Sequence, residues 1–163
     1  TLSPEPGAGY THQVRVGFYG DRRVVVTMSE AGLNTLKVYD ATRLEAPVLL
    51  GRWNADPARP HVPQHNIQLL GETLFMAHYT EGLYVFNLTK VVHGPPLAGT
   101  LDLRPSAHWA VEEPEPPTEL GFANVWEALV IDGVIHVGDI THGLTAIGYG
   151  CMPAGDPAFT ATL

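Results

Sequence analysis

Leu70, Leu74, Gly82 and Leu83 return 61 positions later as Ile131, Ile135, Gly143 and Leu144, and Pro96 is answered by Pro157 at the same offset. A chain that repeats its apolar and turn residues at one spacing builds the same supersecondary unit more than once, and most folds are excluded by that alone. Residues 65–88 show what the unit is. Ile67 and Leu69 alternate with Asn66 and Gln68, the period-two pattern of a strand with one buried face. Gly71-Glu72 is a turn pair, after which Leu74, Met76 and His78 share one face while Phe75, Ala77 and Tyr79 share the other. Thr80-Glu81-Gly82 is a second hairpin connection, ending in glycine where a left-handed residue is expected. Leu83-Tyr84-Val85-Phe86 suits a buried, pleated surface. Residues 97–103, after a Pro/Gly loop, are expected to complete the meander as its fourth strand.

The same design is expected twice more. A first unit spans 12–54, with strands at 12–16, 23–28, 36–40 and 47–53, and a turn near Gly20-Asp21. A third spans 124–163, with strands at 125–131, 134–139, 144–148 and 158–163, and a turn at Asp132-Gly133. The second unit is taken as 65–103. The first matches it more loosely: His12 precedes His65 by 53 residues, but Leu36, Val38 and Asp40 precede Leu83, Val85 and Asn87 by 47, so its hairpins are longer. Residues 1–11 read as an extended lead-in. Residues 104–123, rich in Pro and Glu (Val111-Glu112-Glu113-Pro114-Glu115-Pro116-Pro117), read as a solvated crossing loop that could contact a partner.

Four-stranded repeats of this length are the signature of propeller blades. The expected architecture is therefore all-β, a β-propeller of which this chain supplies three blades. Propellers close with about four to eight blades, and a lone blade has no place to bury both faces. Three are too few, so the ring is expected to be completed by further chain or by associating copies.

Hydrophobic residues make up 45% of the 163 residues and charged residues 16%, which separates the chain from disordered sequences. A net charge of -8, with Lys37 and Lys90 the only lysines, argues against a nucleic-acid groove or an anionic membrane surface. No run approaches the roughly 18 apolar residues of a membrane span. The sequence has neither an initiating methionine nor a signal peptide, so it is expected to be processed or part of something longer. Cys151 has no second cysteine to pair with, leaving a free thiol or a bridge to a cysteine outside these residues.

His65-Asn66-Ile67, a short turn, an apolar strand and then Gly82-Leu83-Tyr84-Val85-Phe86-Asn87 resemble the LVIVD-repeat propellers of bacterial and archaeal surface or secreted proteins. Val137-Gly138-Asp139 and Gly143-Leu144-Thr145-Ala146-Ile147 carry the likeness in the third unit, and Leu36-Lys37-Val38-Tyr39-Asp40 in the first. The resemblance implies a propeller and an extracellular or cell-surface location. Its motifs are mostly structural, and it implies little about activity.

The first strands of propeller blades line the central channel. His12 and His65 begin equivalent strands, so their rings could converge near the axis, where neutral imidazole suits a divalent transition metal. Trp126 takes the third equivalent place, and Glu127 beside it could add an oxygen ligand. The competing expectation is that each histidine hydrogen-bonds the neighbouring unit, since a metal needs three or four ligands. His78 and Asp139 share a position and could pair or cap the hairpin below them. His136 falls inside a strand, and His61, His93, His108 and His142 in loops. Asn87-Leu88-Thr89 fits a glycosylation sequon at a strand end. The sequence contains no phosphate-binding glycine loop, serine elbow or paired-cysteine site. Two functions remain: a non-catalytic exported module that binds a protein partner, which is the expectation from sequence, or a metal-dependent enzyme using His12, His65 and Glu127.

Overall fold

Alternation along the chain becomes three small sheets in the computed structural model, which describes residues 11–30, 35–54, 64–94, 100–110, 124–151 and 157–162. The first sheet is built from β1 (Thr11–Tyr19), β2 (Arg22–Ser29), β3 (Thr35–Asp40) and β4 (Val48–Asn54), each antiparallel to the one before. β5 (Ile67–Leu70), β6 (Thr73–Ala77) and β7 (Leu83–Asn87) form the second in the same way. A short helix, α1 (Thr89–His93), and two short strands, β8 (Leu101–Asp102) and β9 (Ala107–Trp109), follow. The third sheet holds β10 (Val125–Ile131), β11 (Val134–Asp139), β12 (Gly143–Cys151) and β13 (Pro157–Thr162). The chain is all-β, as its turn-rich alternation implies, and none of the three sheets closes on itself.

Two departures from the sequence reading concern residues 89–110. The run after Asn87 is helical, and Arg22 Nη1 donates to the carbonyl oxygens of Val91, Val92 and Gly94 at 3.3, 2.9 and 3.2 Å. A guanidinium there satisfies carbonyls that a helix end leaves without intrahelical partners. Arg22 Nε also lies 3.3 Å from Asp40 Oδ2, so one side chain joins the first sheet to the segment after the second. The other departure is the fourth strand of the second unit. Of the segment expected to supply it, Leu101–Asp102 runs parallel to β4 on the edge of the first sheet, and Ala107–Trp109 takes the fourth place instead.

Packing explains that exchange. Gly51 has no side chain, and the space is filled by Leu103, whose Cδ2 would stand 2.9 Å from a Cβ at that position. Leu101 and Leu103 join the core between the first and second sheets, and Leu103 N–H donates to Arg52 O at 2.6 Å. Trp109 and Ala107 pack on the opposite side, in the core between the second and third sheets. His108, on the other face of β9, stacks on Tyr84 at the boundary with the first sheet, with ring centroids 4.3 Å apart and planes 11° from parallel. The loop expected over 104–123 thus contains β9, and its acidic part, residues 111–123, lies outside the described residues.

The second sheet is buried on both faces. Ile67, Leu74, Met76 and Phe86 meet Val24, Val26, Met28, Leu36, Val38 and Leu50 of the first sheet. Phe75, Ala77, Leu83 and Val85 meet Val125, Ala128, Ile135, Val137 and Ile147 of the third. Apolar burial contributes roughly 25 cal/mol per Å² removed from water, so each boundary is a core in its own right. No helix among the described residues is long and apolar enough to cross a membrane.

Gly82 is the tightest backbone approach in the second sheet. Its φ is +86°, and an added Cβ would stand 2.2 Å from the Trp109 carbonyl oxygen. Left-handed backbone costs a residue bearing a Cβ about 1–2 kcal/mol, and the clash with β9 adds to it. Gly82→Ala is expected to destabilise the fold by roughly 2–4 kcal/mol in urea unfolding, whereas Gly71→Ala, with open space at its Cβ, should cost only the conformational part.

Candidate metal centre

The first strand of each sheet carries an irregularity at the same place. In β1 the register shifts between Thr11 and Gln13, and in β10 between Val125 and Glu127, leaving His12 and Trp126 as the extra residues. Ahead of β5, His65 N–H donates to Ala77 O while Ala77 N–H donates to Asn66 O, so two residues again oppose one. Such bulges bend the strand and re-aim a side chain. β2 and β11 end at Ser29 and Asp139, His78 holds the corresponding position just past the end of β6, and the residues that follow are Glu30, Tyr79 and Ile140. The first strands lie in the order β1, β5, β10, with β5 touching both neighbours.

This geometry brings His12 and His65 together, with ring centroids 4.9 Å apart. Between them is Glu30. Its Oε2 lies 3.0 Å from His12 Nδ1 and its Oε1 3.9 Å from His65 Nε2. One nitrogen from each ring and a carboxylate oxygen all fall within 4.8 Å of one another. Tyr79 donates its hydroxyl proton to Glu30 Oε1 at 2.8 Å. Tyr79 is held at φ +35°, an uncommon backbone for a residue with a side chain, by reciprocal hydrogen bonds with Val125 of the next sheet.

The decisive contact is on the far side of His65. Its Nδ1 is 2.9 Å from the carbonyl oxygen of Trp126. A carbonyl only accepts, so Nδ1 carries the proton, and in the neutral ring the lone pair is on Nε2, facing Glu30. A lone pair and a carboxylate oxygen 3.9 Å apart repel unless a proton or a metal cation lies between them. The Trp126 indole lies against the His65 ring, centroids 3.7 Å apart, and together with Tyr79 holds the imidazole nearly enclosed at 5% exposure. His12 is exposed and closes the site from the solvent side.

Glu127 is not in this group. Its Oε2 accepts from Asn66 Nδ2 at 2.9 Å, and its Oε1 is buried without a hydrogen-bonding partner among the described residues. Asp139 caps the turn below it: Oδ1 accepts from Thr141 N–H and His142 N–H at 2.7 and 2.9 Å, and Oδ2 from Asn124 N–H at 2.9 Å. His78 does not pair with it; His78 lies at the first boundary against Trp53 and Tyr84. His93 and His142 sit beside carboxylates, at Glu72 and Asp139 respectively, while His136 lies in β11. His61 is outside the described residues. Asn87 turns its own Oδ1 to Thr89 N–H at 2.9 Å.

Glu30 is the residue that sequence reasoning missed. The signal was present but blurred by length differences. His12 leads His65 by 53 residues, Ser29 leads His78 by 49 and Leu36 leads Leu83 by 47, so the first hairpin is longer by 53 − 49 = 4 residues and the second by 49 − 47 = 2. Aligning the ends of the second strands would have placed Glu30 beside Tyr79.

No family model, curated protein or solved structure matches the chain.

His78 gives the neighbourhood a pH dependence. Neither ring nitrogen has a hydrogen-bonding partner among the described residues, and burial lowers its pKa from 6.5 to about 4. A histidine whose pKa is depressed on folding stabilises the fold fully above its unfolded value and loses that contribution as pH falls toward the folded one. Wild-type stability should therefore drop between pH 6.5 and about 4, by on the order of 3 kcal/mol from this residue. Urea unfolding at several pH values will show it, and a His78→Phe variant should have a correspondingly flatter profile over that window.

Proposed function

We propose that this chain is part of an exported β-propeller that binds a divalent first-row transition metal through His12, Glu30 and His65. The propeller reading is supported by three sheets packed face to face and by their first strands lying side by side in chain order. The exported location rests on the resemblance to LVIVD-repeat proteins. The metal reading rests on one observation: the Trp126 carbonyl fixes the His65 proton on Nδ1, so that Nε2 meets a second imidazole and a carboxylate. An oriented imidazole whose other nitrogen donates to a carbonyl is the usual arrangement behind a metal-ligating histidine.

Two imidazoles and one carboxylate suit zinc or ferrous iron, and three protein ligands leave coordination positions for water or a small substrate. Hydrogen bonding from Tyr79 to one carboxylate oxygen leaves Glu30 Oε2 to serve as the ligand atom beside His12. Glu30 thus supplies a third ligand where the third unit, with Trp126 at the equivalent position, has no histidine to offer.

Titration of metal-free protein with Zn²⁺ or Fe²⁺, followed by calorimetry and elemental analysis, should give one ion per chain. Glu30→Gln and His65→Ala should each weaken binding by about 10-fold or more, and Glu127→Gln should leave it unchanged. Failure to take up either metal stoichiometrically would return the chain to the partner-binding reading.

A further inference from the structure

We infer that Gln64 is a positioning residue of the metal centre, setting through one hydrogen bond the place at which Glu30 faces His65. This role presupposes the metal reading above. Gln64 immediately precedes His65, and Ser29 immediately precedes Glu30. Gln64 Nε2 donates to the Ser29 carbonyl oxygen at 2.9 Å. That oxygen belongs to the peptide joining Ser29 to Glu30, so the bond holds the backbone on which the carboxylate is mounted. A carbonyl only accepts, which puts the amide nitrogen, not the oxygen, toward Ser29. Tyr79 already holds the other end of Glu30 through its hydroxyl, 2.8 Å from Oε1. The carboxylate is thereby fixed at both ends.

The other boundary shows that the tie joins equivalent places. Val125 precedes Trp126 as Gln64 precedes His65, and Tyr79 follows His78 as Glu30 follows Ser29. Between the second and third sheets, Val125 and Tyr79 exchange two backbone hydrogen bonds, of 3.0 and 3.1 Å. Such a backbone pair forms whatever side chain residue 125 carries. Between the first and second sheets the Gln64 side chain makes the corresponding link, and only a donor of that length at position 64 can make it.

Burial separates this role from simple packing. Gln64 has no exposed surface, and its Oε1 is buried without a hydrogen-bonding partner among the described residues. The unmatched oxygen offsets what the bond to Ser29 contributes, so a carboxamide here adds little to the stability of the boundary. Local rules are broken in this way where a site requires it. What the bond adds is position: Glu30 Oε2 stands 3.0 Å from His12 Nδ1, and Oε1 stands 3.9 Å from His65 Nε2.

The test is a double-mutant cycle on Zn²⁺ affinity, with the visible spectrum of bound Co²⁺ as a second readout. Gln64→Met, Glu30→Gln and the double variant are made in the 163-residue chain, and circular dichroism checks that each is folded. Methionine keeps the length of the side chain and removes the donor. Gln64→Met should weaken Zn²⁺ binding by about 10-fold in the wild-type background. In the Glu30→Gln background the same change should cost less than about 2-fold, because its effect passes through that carboxylate. Co²⁺ bound to Gln64→Met should give the band pattern of Glu30→Gln rather than that of wild type. Gln64→Asn keeps the amide but falls one methylene short of Ser29; it should behave like Gln64→Met, and it takes that variant's place in the cycle if Gln64→Met does not fold. No loss in the wild-type background, equal losses in both backgrounds, or a wild-type Co²⁺ spectrum would overturn the inference and leave the metal reading standing. Wild-type protein that takes up neither ion would overturn the metal reading, and this role with it.

Discussion

The second sheet has no solvent face, and the rest of the structure follows from that constraint. A sheet covered on both sides must place apolar residues at successive positions, and Thr73–Ala77 does so with Leu74, Phe75, Met76 and Ala77 all buried. Even and odd positions of that strand feed different cores, so the first and third sheets are held at fixed places on either side of it. Their first strands then lie beside β5, and the bulges at the start of each turn His12, His65 and Trp126 toward one locality.

The chemistry of that locality belongs to three sheets at once. His12 and Glu30 come from the first, His65 and Tyr79 from the second, and the carbonyl that sets the His65 tautomer from the third. Tyr79 is tied by its backbone to Val125 and by its hydroxyl to Glu30, bridging both boundaries. Any change in how the sheets sit on one another therefore changes the spacing of the donor atoms. Peripheral pairs contribute little to this: Glu72, whose carboxyl is held below its ordinary pKa by the Thr89 hydroxyl and His93, only secures α1 at the surface.

Much of the fold was legible because its determinants are local. Gly20, Gly71, Gly82, Gly133 and Gly143 all have positive φ, and the expected turns fall on them. The placement of residues 101–109 was not legible, because it depends on distant partners. Leu101 and Leu103 look like a continuation of the second meander, yet the space beside Gly51, in a strand of the preceding unit, draws them to the first sheet. For the site, the approach of His12 to His65 followed from their equivalent positions, whereas Glu30 was hidden by insertions in the first unit. Glu127 looked available because it neighbours Trp126 in sequence; across the strands its partner is Asn66.

The course of the chain between β7 and β9 has a mechanical consequence. Leaving the second sheet, the backbone crosses to lie along β4 of the first and then returns to pair with β7. That detour laces the two sheets like a stitch, reinforced by Arg22 on the carbonyls of residues 91–94. The third sheet has no such lacing among the described residues and is held by its apolar boundary and a few polar contacts. A chain unravelling under load or heat would shed its C-terminal sheet first, while the two laced sheets came apart together.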